Sequence, residues 1–387
     1  MEPITHFMTG ACLARAGCNR KAAYATLAMT LAAETPDLDT LWSVDGPVAA
    51  FQHHRGITHT FAGLPFEAAT VVGAVWLLHR WRLRRAAIAN ARAASLPDPD
   101  PTADQPIPHP LTAAPVRWGL LYGFVLVALL SHILLDWTNN YGVRPFFPFN
   151  PRWYADSIVF IFEPVLFAVL LVALTAPALF GLIGSEVGAR RQHFRGRGWA
   201  LFALVATVAL WGWRQVEHDA AIRLASIAPY GPADAPSPEV LRVTASPYPG
   251  NPYRWHTVVE TPGFYQLATV DALAGAVSTD PSQDIFYKPP TTLATLVAKR
   301  TWLGEVYLDW SSWPLVTDIG PVSKFPVPFA TSTAAPPGNT AVTFRDLRFM
   351  YDVPLMNGRR NPPISGAVYL NDDRRVLRME MNGSPQK

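Results

Sequence analysis

The sequence predicts an α-helical membrane bundle of about four spanning helices plus an N-terminal helical hairpin, followed by a small antiparallel β-rich extracytoplasmic domain. Three observations predict it. Apolar residues make up 50% of the chain and charged residues only 16%, which is little charge for a soluble protein. The long apolar runs all fall within residues 1–215, whereas residues 239–387 are rich in Pro, Asp and aromatics and contain none. Imidazoles and carboxylates recur where the apolar runs begin or end, most densely in Phe51-Gln52-His53-His54-Arg55-Gly56-Ile57-Thr58-His59-Thr60.

A hydrocarbon layer of about 30 Å needs about 20 mostly apolar residues as helix. Four stretches qualify: residues 61–79, 117–136, 158–183 and 199–213. The N-terminus lacks the basic start and long apolar core of a cleavable signal, so the first span is expected to act as an internal one. Arg80, Arg82, Arg84, Arg85 and Arg92 follow the first span, and Arg190, Arg191, Arg195 and Arg197 separate the third from the fourth. Both basic loops are expected in the cytoplasm, which puts the other span ends and the C-terminal domain outside a bacterial inner or plasma membrane.

Residues 5–36 read as two short Ala-rich helices around Arg15-Ala16-Gly17-Cys18-Asn19-Arg20-Lys21, whose Gly and Asn suit a tight turn. Whether this hairpin spans fully or is re-entrant is open, but either way His6 and Pro36-Asp37-Leu38-Asp39 come to one end. Cys12 and Cys18 are the only cysteines, too few for a disulfide framework or a thiolate metal site. Pro97–Pro110 is expected to be a disordered cytoplasmic loop, and residues 229–238 a semi-rigid linker between a 1–228 helical domain and a 239–387 β-rich domain. Strands are expected at Val240–Ala245, Trp255–Glu260, Tyr265–Val270, Val342–Phe349, Ala367–Leu370 and Val376–Met381, with one helix near Thr292–Lys299. A formal charge of +3, with no basic block interleaved with aromatics, argues against nucleic acid as a partner.

His132 and Asp136 are four apart on a helix and so project from one face, where they can chelate one ion. His54 and His59 flank Gly56 in a turn entering a helix, and Arg55 would aim a positive fork at the same place. His6, Asp37, His59, His132 and Asp136 are the expected metal ligands, with His54, Asp39 and Arg55 as catalytic candidates. His53 competes with His54 for the place facing the site. Asp156, Glu163 and Glu67 could hold a second metal or support the first ligands. Imidazole and carboxylate suit zinc first, and manganese or iron also. Blander readings exist for each group: a surface or capping His6, a helix stop and N-cap at Pro36–Asp39, and a hydrogen-bonded helix-end pair at His132 and Asp136. Their joint occurrence at one membrane end favours a shared site.

The set Thr5-His6, Pro36-Asp37-Leu38-Asp39, His54 to Thr60 and His132 to Asp136 resembles the YdjM-like family of predicted membrane-bound metal-dependent hydrolases, over about the first half of the chain. Tyr154-Ala155-Asp156 with Phe162-Glu163-Pro164 is similar to the family's next motif, with Glu163 where an Asp is expected. Arg242–Thr261 and Phe344–Phe349 resemble the C-terminal extension of its longer members. The resemblance implies a hydrolase whose helical metal site is loosely similar to zinc-dependent phospholipase C. A site at the membrane edge favours a lipid or phosphoester substrate attacked by metal-activated water. The rival expectation is a non-catalytic protein with a structural ion and a partner-binding outer β domain. A transporter is disfavoured, because the polar groups sit at helix ends and not along a path through the midplane.

Overall fold

The computed structural model describes residues 1–93, 114–186, 196–232, 234–321, 339–353 and 362–386. The expected Pro97–Pro110 loop and Arg190, Arg191 and Arg195 lie outside them. The chain opens with the expected hairpin: α1 (Pro3–Leu13), a π-helical turn at Ala14–Cys18, α2 (Asn19–Lys21) and α3 (Ala25–Ala32). Gly10 lets its two arms touch, since a Cβ there would come within 2.6 Å of the Met29 carbonyl oxygen. A 3-10 segment, Thr35–Asp45, leads to α4 (Pro47–His53), a 3-10 turn at Ile57–His59 and α5 (Leu64–Ala93). Then come α6 (Trp118–Trp137), α7 (Pro164–Glu186) and α8 (Arg197–Ile227).

Among the described residues, α6, α7 and α8 are each long and apolar enough to cross a membrane. The pair formed by residues 47–59 and 64–92, bent by 86°, makes a fourth candidate. The expected spans therefore exist with altered ends. The first starts at Leu64, because Phe61 to Gly63 turn the chain. The third starts at Pro164 and not at residue 158: Ile158 and Val159 bond the Thr138 carbonyl in extended conformation and are buried by protein. The fourth continues to Ile227, and its 31 residues span about 45 Å, well beyond a hydrocarbon layer. A shared core of Ala28, Met29, Val71, Val125, Leu129 and Ile133 joins the hairpin to α5 and α6.

The C-terminal part is antiparallel throughout, but it holds two five-stranded sheets where fewer strands were expected. The first contains β1 (Arg242–Tyr248), β2 (Asn251–Glu260), β3 (Phe264–Asp271), β4 (Ala276–Ser278) and, after the short α9 (Pro281–Asp284), β5 (Ile285–Tyr287). Its order is β1-β2-β3-β4, with β5 paired to β3. Two helices follow, the expected α10 (Leu293–Lys299) and the unexpected α11 (Trp302–Trp310). The second sheet is β6 (Pro314–Pro321), β7 (Thr340–Asp346), β8 (Ser365–Leu370), β9 (Val376–Met381) and β10 (Ser384–Pro385), running in order from β10 to β6.

These sheets are packed onto the helical part. The end of α8 buries Ala221 and Ala225 against Trp255 and Val259 of β2. A second core combines Val48 of α4 and Tyr141, just beyond α6, with Trp310, Phe344 and Phe349. The helix leading into the histidine cluster is therefore wedged between membrane bundle and β layer.

Candidate metal centre

One group among the described residues can hold a metal ion, and it gathers four of the five expected ligands: Asp37, His59, His132 and Asp136. The 3-10 segment supplies Asp37, the turn after α4 supplies His59, and the last two turns of α6 supply the other two. One ligand atom from each lies within 4.8 Å of all the others. His59 Nε2 is 3.0 Å from His132 Nε2, 3.3 Å from Asp136 Oδ2 and 3.5 Å from Asp37 Oδ1. His132 Nε2 is 3.5 Å from Asp136 Oδ2 and 3.6 Å from Asp37 Oδ1.

The outer hydrogen bonds say which ring nitrogens carry protons. His132 Nδ1 lies 2.7 Å from the Ala33 carbonyl oxygen, which can only accept, so Nδ1 donates and a neutral ring keeps its lone pair on Nε2. His59 Nδ1 is held by Asp39 Oδ2 at 3.4 Å, beside the Thr58 hydroxyl at 3.1 Å. Two imidazole lone pairs and two carboxylate oxygens thus converge in a buried volume where they repel one another. Asp136 Oδ2 and Asp37 Oδ2 are buried without a hydrogen-bond partner. Such an orphaned, lone-pair-rich cluster is what a divalent cation satisfies, so the residues present fit the ion.

His6, the fifth expected ligand, stacks on His132 with ring centroids 3.7 Å apart. Its Nε2 lies 3.3 Å from Asp136 Oδ1, and neither ring nitrogen makes a hydrogen bond, so it borders the group from the hairpin side. Asp39 is a hub: it accepts from the Arg55 backbone N–H at 2.7 Å and lies 3.2 Å from His54 Nδ1. His54, about a third exposed, is the imidazole beside the site, while His53 stacks outside it on Trp42.

Arg55 is placed differently from the expected anion-facing fork. Its guanidinium is buried, donating to Asp136 Oδ1 at 2.8 Å, Asn139 Oδ1 at 3.1 Å and the Gly142 carbonyl at 2.8 Å. It therefore fixes a ligand carboxylate. The Met1 amine reaches the same Asp136 oxygen.

The second group of candidates is dispersed. Glu163 accepts from Arg214 at 2.5 Å, a buried pair joining the start of α7 to α8. Asp156 accepts from Trp137 Nε1 at 3.1 Å, and burial raises its carboxyl. Glu67 sits in the first turn of α5 with both oxygens buried and without a hydrogen bond.

Several participants carry no signal of their own in the sequence. Glu34 is pushed up to about 7 by burial and by Asp37 beside it. Asn139 receives Arg55 and turns the chain so that its side chain also accepts from the Tyr141 and Gly142 N–H groups. Gly142 is required there by φ +87° and by the Tyr154 carbonyl, 2.8 Å from where a Cβ would stand. The β layer grips this loop: Arg348 donates to the Asn140 carbonyl at 2.9 Å, Trp310 to the Tyr141 carbonyl at 3.1 Å, and Asn140 to the Tyr351 hydroxyl at 3.1 Å. The amide pair Asn139-Asn140, three and four residues after Asp136, was the available clue.

Fold and cluster together define an integral membrane protein with a His/Asp group able to hold a metal ion. Residues 1–221 match the YdjM inner membrane protein family, more than half of the chain, and the chain belongs to that family. The resemblance read from the His and Asp motifs is thereby borne out. The chain is also similar to the uncharacterized protein YfhP of Bacillus subtilis (strain 168), 24% identical over 182 residues, which is 45% of this chain and 45% of YfhP. It thus spans less than half the length of that curated relative. No solved structure matches it.

Proposed function

We propose that this protein is a metal-dependent hydrolase of the membrane, acting on a phosphoester or lipid at the outer face, with the β-rich part extracytoplasmic. The convergence of His59 Nε2, His132 Nε2, Asp37 and Asp136 carries the reading. Zinc is the ion of choice. Five of the six ligand-atom pairs are 3.0 to 3.6 Å apart and all lie within 4.8 Å, close enough for one divalent ion, and the imidazole and carboxylate set suits zinc. A bound divalent ion supplies Lewis acidity and an acidified water.

The chain's own residues supply the rest. Ala33 and Asp39 fix the two imidazoles, and Arg55 fixes Asp136 and offsets its charge. His54, oriented through Nδ1 by Asp39 and partly exposed, is placed to carry a proton between the site and solvent on Nε2. Asp37 is the least buried of the four ligands and marks the side from which a substrate arrives. Four protein ligands also match closed structural sites, which is the observation favouring a non-catalytic rival with a structural ion and a partner-binding β domain.

Purified protein assayed on soluble phosphodiesters and phospholipid vesicles, with and without chelator, tests the reading. Turnover that disappears with chelator and returns with zinc supports it. A metal-loaded protein without turnover on the whole panel overturns it in favour of the structural ion. A reporter fused after Lys387 should be extracytoplasmic, and a cytoplasmic reporter would move the proposed site to the other face.

A further inference from the structure

The Thr35–Asp45 segment carries Asp37 at one end and exposes apolar side chains along its length. Leu38, Leu41, Trp42 and Val44 are 59%, 66%, 46% and 72% exposed, although they flank a buried metal group. Residues 35–45 contain no Lys or Arg, so attraction to anionic headgroups does not explain them. The exposed apolar surface continues onto the hairpin arms at Phe7 of α1 and Leu31 of α3. Those arms pack on α6, one of the helices long and apolar enough to cross a membrane, so their exposed side chains stand on the outer surface of the helical bundle. The end of α3, the end of α6 and the start of α7 all meet at this level. A 3-10 segment at the end of a helical bundle that exposes three aliphatic side chains and a tryptophan beside its carboxylates has the character of an interfacial anchor.

We propose that Thr35–Asp45 is a platform immersed in the headgroup layer, over which a bilayer lipid slides laterally to present its phosphoester to Asp37. The platform itself follows from the exposed surface, and only the lipid's fate rests on the hydrolase reading. A bilayer lipid is the occupant because the segment packs against α6, a helix long and apolar enough to cross a membrane. Its acyl chains stay beside Phe7 and Leu31 while the headgroup passes Leu38 to reach the least buried ligand. The site is thus open towards the membrane plane, which favours a resident lipid over a water-soluble ester.

A nitroxide at Leu41→Cys, in full-length protein with Cys12 and Cys18 replaced by Ala and reconstituted in phosphatidylcholine–phosphatidylglycerol vesicles, tests the platform without reference to activity. Collisions with oxygen should exceed those with a water-soluble nickel chelate. A control label at Leu273, 71% exposed between β3 and β4, should show the reverse. A position-41 label as accessible to nickel as the control overturns the proposal. So does one shielded from both reagents, which would reveal a protein partner or second copy. For the lipid's route, Leu41→Glu/Val44→Glu should keep its metal yet lower the ratio of vesicle-lipid to soluble-ester turnover about tenfold. An unchanged ratio overturns the lateral route. Loss of both activities in wild type would overturn the hydrolase reading and the lipid's route, while the label measurement would still decide the platform.

Discussion

Replacing Arg55 by Gln separates support of a ligand from contact with a substrate. The substitution removes a charge-assisted bond to Asp136 and two bonds to Asn139 and Gly142, all buried. All three bonds are charge-assisted, because their donor is an ionised guanidinium. Breaking a buried ion pair of this kind costs about 3–5 kcal/mol, the loss expected for the metal-free protein. A dication neutralises Asp136, so the metal-bound form should lose less. Freed from its fork, Asp136 should bind metal about 10–100-fold more weakly, as is usual when a ligand's supporting hydrogen bond is removed. Arg55→Lys should behave like Gln, because one ammonium cannot span three acceptors. Chelator-competition titration of detergent-purified protein, with thermal unfolding in the presence and absence of zinc, reads both effects. If either variant bound metal as tightly as wild type while turnover collapsed, Arg55 would act on the substrate and its role as the support of Asp136 would be refuted.

Three further outcomes follow from the same geometry. His54→Ala should retain metal and fold but slow turnover about 10²–10⁴-fold; equal turnover would remove the proton-carrying role. Arg348→Met withdraws the grip on the Asn140 carbonyl and leaves Asp346 buried with only Ser311 and the Arg348 backbone N–H as partners. It should lower stability by about 3–5 kcal/mol and weaken metal binding more than a surface substitution such as Leu273→Ser does, as competition titration would show. Asp346 also sets an acid limit: burial alone would raise its carboxyl, but Arg348 and Ser311 hold it below the ordinary value. Its stabilising contribution is therefore complete above about pH 4 and fades as pH falls through the depressed folded value. Circular dichroism during acid titration should show that dependence in wild type and lose it in Asp346→Asn.

What the sequence made legible follows from which forces act locally. The four-residue spacing of His132 and Asp136 fixes a common helix face, and Gly17 with Asn19 marks the hairpin turn that brings His6 and Asp37 to one end. The assignment of residues 158–163 to a span failed because an apolar run records burial without saying in what. Here Val159 pairs with Asn139 and is covered by protein. The second sheet was underread because β6 carries proline at both ends and because α11 is held as a helix by tertiary packing against α10, α4 and the sheet. The role of Arg55 depends on a loop 84 residues away in sequence, so no local pattern could separate a fork on Asp136 from one facing a substrate.

The most direct test is the zinc content and zinc-edge absorption spectrum of the full-length protein, beside a His59→Ala/His132→Ala double variant. One tightly bound ion per chain is expected, with two imidazole nitrogens and two carboxylate oxygens around it, and it should be absent from a double variant that keeps its helical circular dichroism. A folded double variant with undiminished metal, or a wild-type spectrum without imidazole scattering, would contradict the assignment of these four residues as one metal centre.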